Sequence, residues 1–306
     1  MVLKRTHRNL TWIDLECPTN EEVREVMKDY NIHPLVAEEL VGPSLRPKVE
    51  VYDDFIYLIL HFPVIRRKHG KRFVEQQEID FILGKNFIIT SRYGAIESLH
   101  QFSKLFEVNS ILDRSGMGDH AGFVFFSMIR ILYDALSREL DFMSDSIRDI
   151  EERIFKGHER AMVVRISEVS RDLLDFKRAT SLHKEILESF EVAARRFFGD
   201  GFDHHIRSII GEYYRIHNHI ESNRESLGEL RETNNSLLDA RETETMKMIT
   251  IVAFLTLPAS IITNFFQMST VSTPIVGVQG DWLIITSVCV ISTIFLLVLA
   301  KIKRWF

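Results

Sequence analysis

The chain ends in two long stretches without charged residues, and these constrain its fold more than any other feature. No Asp, Glu, Lys or Arg occurs from Met248 to Gly280, and none occurs from Trp282 to Ala300. A membrane-spanning helix needs about 20 predominantly apolar residues. We therefore predict two transmembrane helices at residues 246–266 and 282–300, a connecting loop at 267–281, and a short tail at 301–306.

Basic residues predict how these helices are oriented. Lys247 precedes the first helix, and Lys301, Lys303 and Arg304 follow the second, whereas the loop between them has no basic residue. Lys and Arg are enriched at the cytoplasmic ends of membrane helices. We expect a multi-pass protein of the cell membrane with both termini in the cytoplasm, a loop outside, and the lipid bilayer as a partner. No signal peptide is predicted, because no apolar stretch follows the basic residues near the N-terminus.

The first apolar helix carries a stripe of small and polar side chains. Ala253, Leu257, Ser260, Asn264 and Gln267 are separated by three or four residues and therefore share one helix face. Carboxamides are costly in lipid, so we expect this face to meet other helices or water. Two interpretations fit the stripe: it lines a pore, or it bonds to neighbouring helices.

A heptad pattern leads into this helix. Apolar residues and two asparagines recur at alternating spacings of three and four, at Ile206, Ile209, Tyr213, Ile216, Ile220, Asn223, Leu227, Leu230, Asn234 and Leu237. Such a seam predicts helices packed side by side, with the asparagines fixing register and oligomer number. No proline lies between Phe202 and Leu257, so one helix is predicted from Asp203 to Phe266, roughly 95 Å long at 1.5 Å per residue. Its length favours oligomerisation, and packing within the chain is the alternative.

The remaining residues indicate an α+β domain at 1–118 and a helical region at 119–245. In the first, Asn20–Tyr30 and Pro34–Val41 read as helices, and Phe55–Ile65, Phe73–Leu83 and Phe87–Arg92 read as strands. In the second, apolar periodicity predicts a hairpin of two helices, Ala121–Phe155 and Val163–Phe198, before the long stalk helix. The expected fold class is thus an α+β cytoplasmic domain followed by long stalk helices and two C-terminal transmembrane helices.

The other sequence patterns predict neither an enzyme nor a protein that binds nucleic acid. No phosphate-binding loop, dinucleotide fingerprint or nucleophile elbow occurs. The basic run Arg66–Arg72 reads as a solvated hairpin tip, and Cys17 and Cys289 are too few for a disulfide framework or a cysteine-rich metal site. The histidine pairs His204/His205 and His217/His219 would bind zinc only if oligomerisation brought copies together.

The stalk helix also carries acidic residues that fit two interpretations. They could bind divalent cations between subunits, because oxygen ligands suit magnesium and calcium, or they could form a solvated face. These residues are Glu212, Glu221, Glu225, Glu229, Glu232 and Asp239.

Several short segments together resemble the CorA family of divalent-cation transporters, in the family's order and over nearly the whole chain. They are Ile32–Leu35 with Arg46–Glu50, Phe81–Asn86 with Ile89-Thr90, Met246-Lys247 with Leu257-Pro258, and Lys303–Phe306. The Gly-Met-Asn triplet found in members is absent: Gln267-Met268-Ser269 stands at its position, and Ile275 stands where the loop acid is expected.

The resemblance implies a funnel-shaped homopentamer that transports divalent cations, magnesium first and zinc second, with no cofactor. Metal binding between subunits would hold the closed state. The implied pore-lining or filter residues are Met246, Ile249, Ala253, Leu257, Ser260, Asn264, Gln267, Met268 and Ser269. The changed triplet also leaves an alternative, a pentamer that does not conduct and serves as a membrane-anchored scaffold or sensor.

Overall fold

The computed structural model describes residues 1–44, 46–68, 71–111, 120–267 and 279–302. The chain divides into two compact units, Met1–Glu232 and Thr233–Phe306. The first unit holds a mixed sheet and most of the helices. The second holds the C-terminal part of the longest helix together with the last helix.

The sheet of the first unit has six strands in the order β1-β2-β6-β5-β4-β3. The strands are β1 (Val2–His7), β2 (Leu10–Glu16), β3 (Val49–Val51), β4 (Phe55–Lys68), β5 (Lys71–Gly84) and β6 (Phe87–Arg92). Strands β2 and β6 pair in parallel, and all other neighbours pair antiparallel. Strands β5 and β6 form a hairpin, and a Cβ at Gly84 would lie 2.2 Å from a ring carbon of Phe87.

Both faces of the sheet are covered, which explains the continuous apolar run of β4. One face packs against α1 (Asn20–Asp29) and α2 (Pro34–Glu39). The core on this side consists of Ile13, Leu15, Val23, Val26, Ile32, Val36, Ala37, Leu40, Phe55, Tyr57, Ile59, Ile82 and Ile89. The other face meets helices through aromatic pairs, such as Trp12 with Phe102 at 5.2 Å and Phe81 with Phe125 at 5.1 Å between ring centres.

The helices on that second face are α3 (Glu97–Ile111), α4 (Ala121–Phe155), α5 (Glu159–Thr180) and α6 (His183–Phe198). The single helix predicted over Val163–Phe198 is wrong, because the chain breaks at Ser181 and Leu182. The break places the fully buried His183 between helix and sheet, where its Nδ1 lies 2.7 Å from the Tyr133 hydroxyl.

The longest helix, α7 (Asp203–Phe266), is confirmed, and α8 (Asp281–Ile302) ends the described chain. Within the first unit, the heptad seam is already buried from Ile206 to Leu227. Asn223 donates to the Leu140 carbonyl at 3.2 Å and accepts from the Ser144 hydroxyl at 2.9 Å. For this stretch, the expectation that the seam serves oligomerisation is wrong, since α4 of the same chain occupies it.

Candidate functional site

The last two helices of the chain form the strongest candidate for a functional site. By length and composition, α7 and α8 are the two helices among the described residues that could cross a membrane. None of the most apolar stretch of α7 is buried in the chain, and only 6% of that stretch of α8 is buried. An apolar helix that no protein covers needs lipid or other copies around it.

Each of these helices has one partly covered stripe. On α7 the half-buried positions are Ile251, Leu255, Pro258, Ala259, Ile262 and Phe266. On α8 they are Asp281, Ile285, Cys289, Ser292, Thr293, Leu296 and Leu299, beside the buried Ala300. Spacings of three and four residues place each set on one helix face. Each helix thus has one face that is less exposed than the rest of its surface.

The predicted pore-lining residues of α7 lie on the opposite face. Met246 is 62% exposed, and Ile249 and Leu257 are each 58% exposed. The smaller or polar members Ala253, Ser260, Asn264 and Gln267 are exposed as well. A single chain therefore leaves the whole stripe uncovered.

A third face of α7 is apolar without interruption. Phe254, Ile261 and Phe265 are exposed by 39%, 59% and 60%. At 100° per residue they fall between the half-buried stripe and the polar stripe. The helix thus separates a face toward its neighbour, an apolar face suited to lipid, and a face that combines small, apolar and polar side chains.

Hydroxyl groups along α7 are satisfied by the helix itself. Thr250 donates to the Met246 carbonyl at 2.7 Å, and Ser260 donates to the Thr256 carbonyl at 3.1 Å. Such bonds to the preceding turn are common for Ser and Thr in membrane helices. Along the polar stripe from Met246 to Gln267, the side-chain carbonyl oxygens belong to Asn264 and Gln267.

Residues 268–278, which include the predicted site residues Met268 and Ser269, lie outside the described residues. Their predicted roles at the outer mouth stay predictions. Gln267 follows the last helical residue, and its amide lies 3.1 Å from the Thr263 carbonyl.

The acidic residues of the stalk are not gathered into a site within the chain. Glu221 pairs with Lys177 at 2.8 Å, which lowers the pKa of Glu221, and Glu212 pairs with Arg215 at 2.6 Å. Within the described parts of the chain, no group of three or more His, Cys, Asp or Glu side chains is arranged to hold a metal ion. A cation site between subunits therefore stays a prediction.

The histidine pairs and the basic run have local roles. His219 lies 3.0 Å from the Ser144 hydroxyl, and His217 stacks on Tyr213. In the hairpin of β4 and β5, Arg66 pairs with Glu75 at 3.2 Å, while Arg72 pairs with Glu139 at 3.3 Å. These contacts fit the interpretation of Arg66–Arg72 as a hairpin tip, of which His69 and Gly70 lie outside the described residues.

Sequence reasoning missed a group of buried polar residues in the sheet. Glu78 and Asp80 on β5 are 4% and 0% exposed, and Asp14 and Arg92 on the parallel strands are 6% and 7% exposed. The available signal was the alternation of Glu78 and Asp80 with apolar residues, which places both on one strand face.

Comparison with known proteins agrees with this architecture. Residues 8–304 match the family described as CorA-like Mg²⁺ transporter protein. The cobalt/magnesium transport protein CorA of Thermotoga maritima is 23% identical over 305 residues, covering 96% of this chain and 83% of that protein.

Solved structures share the fold. The complete structure of the CorA magnesium transporter from Methanocaldococcus jannaschii superposes with a TM-score of 0.83 at 16% identity, covering 99% of this chain and 94% of that one. The full-length CmaX protein gives a TM-score of 0.74 at 13% identity, with coverage of 97% and 88%. An α+β N-terminal domain, a long helix and two C-terminal apolar helices are common to this fold. Since the family match spans nearly the entire sequence, the chain belongs to the CorA family of membrane transporters.

Proposed function

We propose that five copies of this chain surround a pore lined by α7 and conduct divalent cations, magnesium foremost, across the cell membrane. The observation that carries the proposal is the division of α7 into faces. One stripe of α7 is half-buried, as expected for a face beside α8. The opposite stripe is exposed and carries the polar residues Ser260, Asn264 and Gln267 together with apolar residues. An uncovered stripe with two carboxamides is costly in lipid, so it calls for water or further helices. Membership of the CorA family supports a pore over interhelical bonding alone.

The proposed pore acts on a cation that keeps much of its water. Magnesium loses its hydration shell reluctantly and usually retains several waters when bound. The α7 stripe has no carboxylate between Met246 and Gln267 that could replace those waters. Rings of Asn264 and Gln267 carbonyls would accept hydrogen bonds from the hydrated ion, and a ring of Ser269 hydroxyls would stand where the family triplet supplies asparagine.

Closure is assigned to the apolar members of the same stripe. Met246, Ile249 and Leu257 are large, apolar and exposed by more than half. Rings of such side chains block ions by excluding water from a narrow passage. The proposed pore thus has a hydrophobic gate at its inner half and carbonyl groups at its outer half.

The proposed orientation places both termini in the cytoplasm. Lys247 precedes the apolar part of α7, and Lys301 lies in the last turn of α8. Both ends of the helical pair are therefore basic, which favours the cytoplasmic side for each. The loop at 267–281 then faces outward.

The test is metal flux into liposomes that contain the purified full-length protein. A magnesium-sensitive and a zinc-sensitive dye are read in parallel, with cobalt hexammine as a blocker that imitates a hydrated ion, and with empty liposomes as the control. Flux above the empty control that cobalt hexammine inhibits is the expected result. No flux of either ion from a protein shown to be an intact oligomer would contradict the proposal and favour the non-conducting scaffold or sensor.

A further inference from the structure

Two carboxyl groups are buried together in the sheet of the first unit, remote in sequence from the proposed pore. Glu78 and Asp80 are separated by one residue on β5 and point to the face that α1 and α2 cover. Glu78 is 4% exposed and Asp80 is 0% exposed. Burying one carboxylate without a cation is already costly, so two adjacent ones need a compensating group.

The hydrogen bonds of this pair come mainly from neutral groups. The Ser44 amide donates to Glu78 Oε1 at 2.9 Å, and the Tyr93 hydroxyl oxygen lies 3.1 Å from Asp80 Oδ2. His61 Nε2 lies 3.1 Å from Glu78 Oε2 and 3.2 Å from the Ser44 carbonyl. Asp80 Oδ1 is buried and has no hydrogen-bond partner among the described residues.

Lys48, which precedes β3, forms ion pairs with two other acids. Lys48 Nζ lies 2.8 Å from both Glu39 Oε1 and Glu50 Oε1. Glu39 Oε2 and the Tyr57 hydroxyl are buried without a hydrogen-bond partner among the described residues. Titratable groups surround Glu78 and Asp80 on several elements. They are His61 and Tyr57 of β4, Glu39 of α2, Lys48 before β3, and Tyr93 after β6.

We infer that Glu78 and Asp80 form a proton-binding site that holds residues 40–44 and 46–48 against the sheet while the pair carries a proton, and releases them when the proton is lost. A shared proton gives Asp80 Oδ1 a role and leaves one negative charge, which His61 and the Ser44 amide face. Burial, reinforced by the neighbouring Glu78, raises the pKa of Asp80 well above its ordinary value, in keeping with this geometry.

The segment that would respond is irregular between its two anchored ends, Leu40 in the core and Lys48 beside β4. Residues 41–48 form no helix or strand in the described part, which omits Leu45. Ser44 contacts both Glu78 and His61, and the Tyr93 hydroxyl donates to the Glu39 carbonyl at 3.0 Å. A second charge on the pair would be relieved most directly by water, and water enters when this irregular segment lifts.

Hydrogen exchange of the full-length protein in detergent tests the inference, and it does so independently of transport. Protection of the amides of Leu40, Val41, Gly42, Ser44, Arg46 and Lys48, corrected for the intrinsic pH dependence of exchange, is compared at pH 6 and pH 9. We expect at least about a tenfold loss of protection in the wild type. The pKa of the pair is higher with the segment held than with it released, and each pH unit between these two pKa values shifts the equilibrium between held and released segment up to tenfold. Asp80→Asn should abolish the loss, whereas Asp53→Asn, at an exposed acid of the same unit, should retain it.

Protection of the β4 amides serves as the internal reference for folding. If Asp80→Asn unfolds the unit, infrared difference spectra of the wild type decide instead, since raising the pH should remove one protonated carboxylic-acid band per chain. Equal pH dependence in wild type and Asp80→Asn would overturn the inference, as would the absence of that infrared band. Magnesium that restores protection at pH 9 would also overturn it in favour of a metal site.

Discussion

Arg92 donates from Nη2 to Asp14 Oδ2 at 2.9 Å, and this pair joins β2 and β6 where the two strands run in parallel. Both side chains are at least nine-tenths buried. Asp14 also accepts from the Thr90 hydroxyl at 2.7 Å, and Trp12 Nε1 donates to the same hydroxyl at 3.0 Å. The ion pair therefore belongs to a satisfied buried network and does not stand alone.

Removing one partner of this pair should destabilise the first unit strongly. Arg92→Met leaves the Asp14 carboxylate buried without its cation, for which we expect a loss of about 3–5 kcal/mol in the free energy of unfolding. The double variant with Asp14→Asn should lose less than the sum of the single variants. Denaturation of the full-length protein in detergent, followed by circular dichroism, measures the cycle. Strict additivity of the two changes would contradict the described contact.

The buried imidazole of His183 should make stability depend on pH in the acidic range. Burial lowers the pKa of His183 from its ordinary 6.5 to about 4. Between these values the unfolded chain binds a proton that the folded chain does not. The contribution of neutral His183 to the free energy of unfolding is therefore complete above pH 6.5. About 3 kcal/mol of it is lost as the pH falls from 6.5 toward 4. His183→Gln should flatten this part of the curve in thermal unfolding between pH 4 and 6.5, and an unchanged curve would rule out His183 as its source.

The side-chain carboxamide of Asn264, on the polar stripe of α7, should control conduction. Asn264→Leu removes a ring of side-chain carbonyls from the polar stripe. We expect magnesium flux in liposomes to fall about tenfold, because the loss of one hydrogen bond to the hydrated cation raises the barrier to conduction by about that factor. Thr263→Val is the matched control, because the Thr263 hydroxyl donates to its own helix at the Ala259 carbonyl. Equal flux in both variants would place the pore on another face.

The apolar ring formed by Leu257 should limit basal flux. Leu257→Ser makes that constriction easier to wet, so we expect basal flux to rise about tenfold, which corresponds to about 1.4 kcal/mol off the barrier. Ile261→Ser is a close control, since Ile261 is 59% exposed against 58% for Leu257 but lies on the apolar face. An increase in the control alone would indicate that the two faces are assigned the wrong way round.

Long periodic elements could be predicted from the sequence, whereas the buried polar residues of the sheet were missed. The uncharged runs and the heptad spacing predicted α7 and α8 because these patterns extend over many turns. Strands β1, β2 and β3 were missed, and so was α3. The three missed strands are the sheet's two edge strands and the β2 neighbour of β1, and the missed helix α3 has 15 residues.

The candidate site was also predictable only in part. Helical phase alone placed Ser260, Asn264 and Gln267 on one face, and the structure adds that this face is uncovered. Periodicity could not tell whether the seam at Ile206–Leu227 meets another copy or another helix of the same chain, because both satisfy the same spacing. Alternation with apolar residues indicates that Glu78 and Asp80 share a strand face, but the contact of Glu78 with the Ser44 amide joins segments that are distant in the sequence.

The outer edge of β4 shows how the sheet ends. The Ile59 amide donates outward to the Lys48 carbonyl, so the backbone groups of His61 and Pro63 point to the same edge. His183 Nε2 lies 2.8 Å from the His61 carbonyl, and Pro63 has no amide hydrogen to offer. An incoming strand would meet an occupied acceptor and a missing donor at successive positions. Strand addition is therefore disfavoured along this stretch of β4, where the backbone offers neither a free acceptor at His61 nor a donor at Pro63.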